Sequence, residues 1–413
     1  MSLIVQKFGG TSLADAQKVH RAARRAIRAK LDGQRVVLVV SAMGSSTDEL
    51  LALAHAICPD PPKRELDMLL TTGEQVSIAL MAMAIHAAGH EAISLTAGQL
   101  GLVTDSVHTR ARIKTISRDR IDRELSEGKI VIVAGFQGID ASGEITTMGR
   151  GASDTSATAL AAVLGATVCE IYTDVDGVYT ADPRVVPQAR KIDRISYEVM
   201  LEMAAAGAAV MHSQAIEFAK KFQVPMQVRS SMTDVEGTRI MAETPDMEAV
   251  AVEGVTLKED LAVVSLLGVP NTAGLAGSIF AEVARSHILV DDIVQNIYDD
   301  GRLANLSFST NSGDARQAEA VCRELAAKLG IAGVEVDHDV SKVSAIGVGM
   351  RSHTGIAATM FDALARAAIN IENISTSEIV ISCIVRSEDG LKALRYLHEA
   401  FQLDEARDKN PVG

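Results

Sequence analysis

The chain has 413 residues, a length that holds two or three domains with ample core. Its 47% hydrophobic content includes 3% aromatics and no Trp, so the core is built from Ala, Val, Ile, Leu and Met. With 40 Lys and Arg against 53 Asp and Glu, the net charge is −13, and no basic run appears, which excludes nucleic acid as a partner. Cys58, Cys169, Cys322 and Cys383 are scattered without metal-ligand spacing and read as reduced thiols of a cytoplasmic protein. The ten histidines show no ligand spacing either and read as structural or surface residues. No leader-like segment precedes the first strand, and no apolar run is expected to reach membrane-spanning length.

The first expected strand, residues 3–8, runs into Lys7-Phe8-Gly9-Gly10-Thr11-Ser12 and then a helix over 15–31. A strand that turns through two glycines into a helix presents backbone N–H groups to a phosphate, and Lys7 adds a cation where a transferring phosphoryl group needs one. The spacing is neither GxGxxG nor GxxxxGK[ST], which points away from Rossmann and P-loop proteins. An ordinary glycine-rich β–α turn reads the same way in isolation. A second strand, 35–41, ends in Ser41-Ala-Met-Gly-Ser-Ser-Thr47-Asp48, small hydroxyl residues suited to a ligand or to capping the next helix. Residues 65–88 have helical periodicity and include Leu70-Thr-Thr-Gly73-Glu74, which reads as a carboxylate following a glycine turn.

Strands over 91–96, 129–135 and 168–173 complete an alternation with helices that implies a largely parallel sheet sandwiched by helices. Ligands of such sheets bind at the carboxyl ends of the strands, where Lys7, Ser41 and Asp174 all fall. Between them, Thr147-Met-Gly149-Arg150-Gly151-Ala152-Ser153-Asp154-Thr155 sets an arginine, able to grip a carboxylate bidentately, in a glycine-rich turn before the helix at 153–164. Residues 173–184 hold Asp174, Asp176, Gly177, Tyr179, Asp182 and Arg184 and read as a loop around a polar ligand, more suited to a nucleotide than to calcium. Residues 238–248, polar and carrying Pro245, read as a linker.

The tail contains an internal repeat. Gly274, Phe280 and Arg285 recur as Gly355, Phe361 and Arg366, each pair 81 positions apart. A constant offset through a helix marks two copies of one small α/β unit.

Residues 7–12, 41–48, 64–74, 147–155 and 173–184, in this order, resemble aspartate kinases of the amino-acid-kinase fold. The tail repeat is similar to the tandem ACT regulatory domains of that family, with Gln295-Asn296 and Ile374-Ser-Thr-Ser377-Glu378-Ile379 at the expected places. The resemblance covers essentially the whole chain. It implies an α/β architecture: an amino-acid kinase domain over 1–240, a linker and strand over 241–262, and two interleaved βαββαβ ACT domains over 263–340 and 341–413. The interleaving is expected because residues 248–258, which precede the first repeat, resemble the strand that completes the second.

What the resemblance implies about chemistry is transfer of the γ-phosphoryl group of ATP to the β-carboxylate of L-aspartate, giving 4-phospho-L-aspartate on the route to lysine, threonine and methionine. By resemblance Lys7 stabilises the transferring group and Asp154 organises that lysine. Gly9 and Gly10 offer N–H groups to phosphate, and Ser41, Thr173, Asp174, Tyr179, Asp182 and Arg184 hold the nucleotide. Thr47, Glu74, Arg150 and Ser153 hold aspartate, with Mg²⁺ bridging the phosphates through few protein ligands. The ACT pair implies feedback by lysine and threonine together, with Asn271, Gly274, Asp291, Gln295 and Asn296 at one effector site and Ser377 and Glu378 near the other seam. It also implies a homo-oligomer, or a hetero-oligomer with a short regulatory subunit started at Met247.

The chain departs from the family pattern at Ala209, where a lysine is usual, and at Ala152, Asn271, Thr354 and Val380. The alternative these changes admit is a weak or inactive homologue serving as an amino-acid-sensing regulatory subunit. Lys7, Thr47, Glu74, Arg150 and Asp154, all present, argue for the enzyme. A different amino-acid kinase, for glutamate or acetylglutamate, leaves the ACT tail unexplained.

Overall fold

The computed structural model describes residues 2–149, 151–208, 210–245, 247 and 250–405. Arg150 and Ala209 lie outside the described residues. The chain divides into two compact units: 1–179 with 191–205 and 209–247, and 180–190 with 206–208 and 248–413.

The first unit is organised by an eight-stranded sheet. Its parallel centre runs Met226–Ser230, Val168–Thr173, Leu3–Phe8, Arg35–Val40, Ile130–Ala134 and Ala92–Leu95. The strands Arg35–Val40 and Ile130–Ala134 are near-continuous Val, Ile and Leu because both faces are covered. Alternation sends Ile4, Phe8, Val36, Leu38, Val40, Ile130 and Ile132 to one face, where they form one cluster with the helices Ala16–Leu31 and Lys63–Ala87. The opposite face, carrying Val5 and Lys7, meets the helix Ala152–Leu164. That helix is rich in Ala, Ser and Thr and buried along nearly its whole length, so small side chains let it sit close on the sheet. The helix Ala16–Leu31 starts where the Asp15 carboxylate accepts from Lys18 N–H at 2.9 Å, an N-cap contributing about 1 kcal/mol.

Three expectations are corrected here. The segment 238–241 is not linker: Thr238–Met241 is a strand of the central sheet, with Thr238 and Ile240 buried. The polar Thr238 is tolerated inside because its hydroxyl accepts from Val178 N–H at 2.8 Å and donates to Ile192 O at 2.5 Å. Gly73 interrupts nothing: it lies in the middle of Lys63–Ala87, and a Cβ there would stand 2.8 Å from the Ala42 methyl. The glycine serves close helix-to-loop packing, not a turn. Finally, Lys63–Ala87 is long and apolar enough by composition to cross a membrane. Its buried positions include Asp67, Glu74 and Ser77, and it packs against the sheet and against Ala16–Leu31.

A smaller four-stranded sheet, Ile113–Ile116, Leu102–Thr104, Gln137–Ile139 and Ile145–Thr147, ends two positions before Gly149. These short strands carry too few residues to show a period in sequence.

In the second unit the repeat becomes two sheets of the same order. Ile293–Tyr298, Leu303–Thr310, Ala262–Pro270 and Gly333–Asp337 form the first, with helices Leu275–Arg285 and Ser312–Leu329. Asn373–Thr376, Val380–Arg386, Val340–Ile346 and Gly254–Lys258 form the second, with helices Ile356–Arg366 and Gly390–Ala400. The fourth strand of the second sheet therefore comes from before the first domain, and the two ACT domains are interleaved. Gly274 and Gly355 open equivalent helices with φ of +90° and +87°, a conformation that disfavours any other residue and explains their shared spacing.

Candidate active site

The carboxyl ends of three adjacent parallel strands carry Lys7, Ser41 and Asp174. The pleat turns Lys7 toward the helix Ala152–Leu164, whose first turn holds Asp154. Lys7 Nζ lies 2.5 Å from Asp154 Oδ1, with the two side chains 12% and 8% exposed. A carboxylate in a helix's first turn is favoured by the unpaired N–H groups and dipole there. The lysine is thereby held as a cation at the cleft with little freedom.

Gly10 lets the first loop lie against the second. A Cβ there would meet Ala42 O at 2.8 Å and Gly44 O at 3.0 Å, while Gly44 N–H donates to Gly10 O at 3.0 Å. Gly9 behaves differently from the expectation. Its N–H donates to Tyr172 O at 3.3 Å, so it is spent on the sheet. What Gly9 leaves is space, since a Cβ at this position would stand 3.5 Å from Lys7 Nζ. That space lies directly in front of the lysine ammonium.

Glu74 is 3% exposed, and its Oε1 accepts from Ala42 N–H at 3.0 Å. Burial pushes its carboxyl up to about 7, against the smaller opposing pull of the backbone hydrogen bonds. Ser153 is buried beneath the end of strand Ile130–Ala134, where a Cβ on Gly135 would strike Ser153 Oγ at 2.7 Å. Thr47 stands, half-buried, in the first turn of helix Ser46–Ile57. Glu74, Ser153 and the Lys7–Asp154 pair are thus tied through residues 41–44 and 135, at the carboxyl edge of the same sheet.

Of the expected nucleotide loop, Thr173, Asp174 and Tyr179 belong to the first unit. Thr173 Oγ1 donates to Asp174 at 3.1 Å, and Tyr179 bridges to Lys191 across the loop. Asp182 and Arg184 fall in the second unit, where the guanidinium forks onto the carboxylate at 3.0 and 2.7 Å.

The sequence reading missed two supports of the site. One is Gly135. The other is Asp67, fully buried on the helix of Glu74 and hydrogen-bonded to His108, Thr109 and Thr147. The signal for Asp67 was present: an acid seven positions before Glu74 lies two turns away on the same helical face.

In the regulatory unit, Asn271, Gly274 and Gln295 line one cavity of about 240 Å³ with Leu275 and Leu306. Gln295 Nε2 reaches Asn271 Oδ1 at 3.5 Å. Asn296, the next residue on the strand, points the other way and lines a wider cleft of about 1070 Å³ that also includes Asn373 and Ile374. Asp291 is not at the small cavity. It pairs with Lys342 at 2.5 Å and Lys258 at 3.2 Å, with Asp292 also 3.1 Å from Lys342, joining the two ACT domains. Ser377 and Glu378 sit in the turn between Asn373–Thr376 and Val380–Arg386, where Glu378 is 3.5 Å from Arg351.

A parallel-sheet domain with a lysine–aspartate pair at its strand ends, joined to paired ACT sheets, is the architecture of a regulated small-molecule kinase. Comparison with known sequences agrees. The profile of the amino acid kinase family matches residues 2–230, and that of the ACT domain matches 343–401. The chain is 49% identical to the aspartokinase of Bacillus sp. (strain MGA3) over 98% of both chains. Among solved structures it is similar to Escherichia coli aspartokinase III bound to aspartate and ADP in the R-state, with a TM-score of 0.84 and 26% identity, covering 96% of this chain and 99% of that one. It is also similar to the T-state of that enzyme, bound to lysine and aspartate, with a TM-score of 0.76 and 26% identity over 97% and 99%. The chain belongs to the amino acid kinase family and, within it, to the aspartokinases.

Proposed function

We propose that the chain phosphorylates the β-carboxylate of L-aspartate with ATP, and that the Lys7–Asp154 pair at the strand ends is the observation that carries this reading. The acceptor is already an anion, so the site needs no strong base. Its task is to bring two anions together, which calls for fixed cations and N–H donors. Lys7, pinned by Asp154, stabilises charge on the transferring group as the carboxylate oxygen bonds to phosphorus and the bond to the leaving ADP oxygen breaks. The space left by Gly9 and the N–H side of the Gly10 turn take the phosphates, and Ser41, Thr173, Asp174 and Tyr179 of the first unit hold the nucleotide. Mg²⁺, when bound, neutralises phosphate charge.

Glu74 takes the α-ammonium of aspartate, which restores the ionised form that burial disfavours. Ser153, Thr47 and Arg150 take the carboxylates. Retention of Lys7, Asp154, Glu74 and Ser153 in one connected arrangement favours the working enzyme over an amino-acid-sensing homologue without activity.

The cavity beside Asn271, Gly274 and Gln295 takes a small amino acid, and we assign it to feedback by lysine and threonine, with the seam near Ser377 and Glu378 as the second effector place. Exposed edge strands of the ACT sheets, with Ile293, Ile297 and Ile374 uncovered, support an oligomer. We place the protein in the cytoplasm.

The test is ATP- and Mg²⁺-dependent formation of an acyl phosphate from aspartate, trapped with hydroxylamine, with and without lysine plus threonine. Turnover suppressed by the pair supports the reading. No turnover, with threonine or lysine still bound in calorimetry, favours the sensor homologue.

A further inference from the structure

Asp67 is a carboxylate with no solvent exposure, on the apolar-rich helix Lys63–Ala87. A desolvated carboxylate is costly unless its oxygens are fully engaged. Here they are. Thr147 Oγ1 donates to Oδ1 at 2.6 Å, Thr109 N–H spans both oxygens at 3.1 Å, and His108 Nδ1 lies 2.7 Å from Oδ2.

The donors come from two separate segments that converge on one place. Thr147 ends the strand Ile145–Thr147, two positions before Gly149. Ala111 N–H donates to Thr147 O at 2.9 Å, so the loop carrying His108 and Thr109 is laced to that strand. Thr109 has φ of +67°, in the left-handed region that a β-branched residue resists. The Asp67 carboxylate holds it there. The strained residue then faces Gly149, where a Cβ would stand 3.4 Å from Thr109 O.

Asp67 and Glu74 also share one rigid element. Seven helical residues separate them by about 10 Å along one face. The helix that offers Glu74 to the ammonium end of the substrate therefore fixes, through Asp67, the strand end at Thr147 and the Thr109 backbone beside Gly149.

We propose that Asp67 is a positioning residue for the amino-acid substrate, acting through Thr109 and Thr147 to set Gly149 relative to Glu74. This rests on the aspartate kinase reading. It touches neither substrate nor nucleotide, so its loss is felt in the aspartate KM and not in that for ATP.

The experiment compares wild type with Asp67→Asn and Thr147→Val, varying aspartate and ATP independently in the hydroxylamine assay and measuring aspartate affinity by calorimetry. Wild-type turnover, run in parallel, reports separately on the kinase reading. Asp67→Asn is expected to raise the aspartate KM and Kd at least tenfold with the ATP KM within twofold, and Thr147→Val to do the same to a smaller degree. Adding Thr109→Gly to Asp67→Asn, which removes the strain that the carboxylate holds, brings the aspartate KM back toward wild type. Aspartate KM and Kd within twofold of wild type in both single variants overturn the proposal, as does an equal rise for aspartate and ATP. If Asp67→Asn does not fold, Thr147→Val decides by the same criterion.

Discussion

Thr180 Oγ1 lies 3.0 Å from His398 Nε2, deep in the second unit. The same oxygen accepts from Arg190 N–H at 3.0 Å, and Thr180 O accepts from Val255 N–H at 2.8 Å. Ala181 and Val186 join the hydrophobic cluster of the second ACT domain. The segment that carries Asp182 and Arg184 is therefore built into the regulatory unit, one residue beyond Tyr179 of the kinase unit.

Burial holds the His398 imidazole below the usual histidine range, so the folded protein favours the neutral ring. Its stabilising contribution is present above the unfolded histidine value and is lost as pH falls through the lower folded value. Denaturation midpoints measured from pH 7 to 5 should fall in wild type, and His398→Asn should show a shallower fall. Equal slopes in the two proteins would refute this role.

Removing Lys7 leaves Asp154 as a buried carboxylate without its cation. Lys7→Ala is expected to lower kcat by about 10² to 10³-fold or more, the loss seen when one donor to a developing anion is deleted. It should also cost about 3 kcal/mol of stability, because the remaining charge is uncompensated. Circular dichroism with urea titration separates the two effects. A variant with near-wild-type kcat would remove Lys7 from the mechanism.

Glu74, pushed up to about 7 by burial, is protonated in the free enzyme at lower pH. Because its folded value is raised, the stability it contributes is present below the ordinary carboxylate value and is lost as pH rises through about 7. Substrate binding runs the other way, since an ammonium partner favours the ionised group. The aspartate KM should rise as pH drops below about 7, approaching tenfold per unit, and binding should release a proton there. Glu74→Gln should give a high, pH-independent KM. Calorimetry in buffers of different ionisation enthalpy measures the proton directly.

Gly135→Ala places a methyl 2.7 Å from Ser153 Oγ and 2.8 Å from its Cβ. Such overpacking costs about 1–3 kcal/mol and displaces the serine. Both the melting temperature and aspartate affinity should fall, whereas Gly128→Ala, where a Cβ meets nothing within 4 Å, should leave aspartate affinity unchanged.

Gln295→Ala should raise the concentration of lysine plus threonine for half-inhibition about tenfold, the effect of losing one good hydrogen bond to a ligand. Inhibition curves with threonine and lysine varied separately test this. Unchanged curves for both would move the effectors away from the cavity.

The sheet was legible where the chain repeats a strong local signal. Residues 3–8 and 168–173 fall where the Val and Ile runs place them, and the 81-residue offset announces two copies of one unit. The ordered glycine and acid motifs around Lys7, Glu74 and Asp154 carry the resemblance to aspartate kinases, although each motif alone also reads as an ordinary turn or helix cap. What stayed hidden rests on side chains far apart in the chain. Thr238–Met241 reads as polar linker, yet Thr238 is buried because Val178 and Ile192 satisfy its hydroxyl. Gly73 reads as a turn, yet the Ala42 methyl across the groove requires a glycine inside a helix.

By itself, then, the sequence determined the alternation of strand and helix and the doubling of the tail, since these depend on residue type and spacing over a few turns, and its ordered motifs carried the family resemblance. Tertiary structure alone decided that Gly9 donates to Tyr172, that Asp291 binds Lys342 and not an effector cavity, and that Asp67 accepts from Thr147. Each of these is a partnership between groups at least 50 residues apart. Such a pairing is settled by which hydrogen bonds and charges remain unsatisfied once the core has closed, and that appears only when the chain is packed.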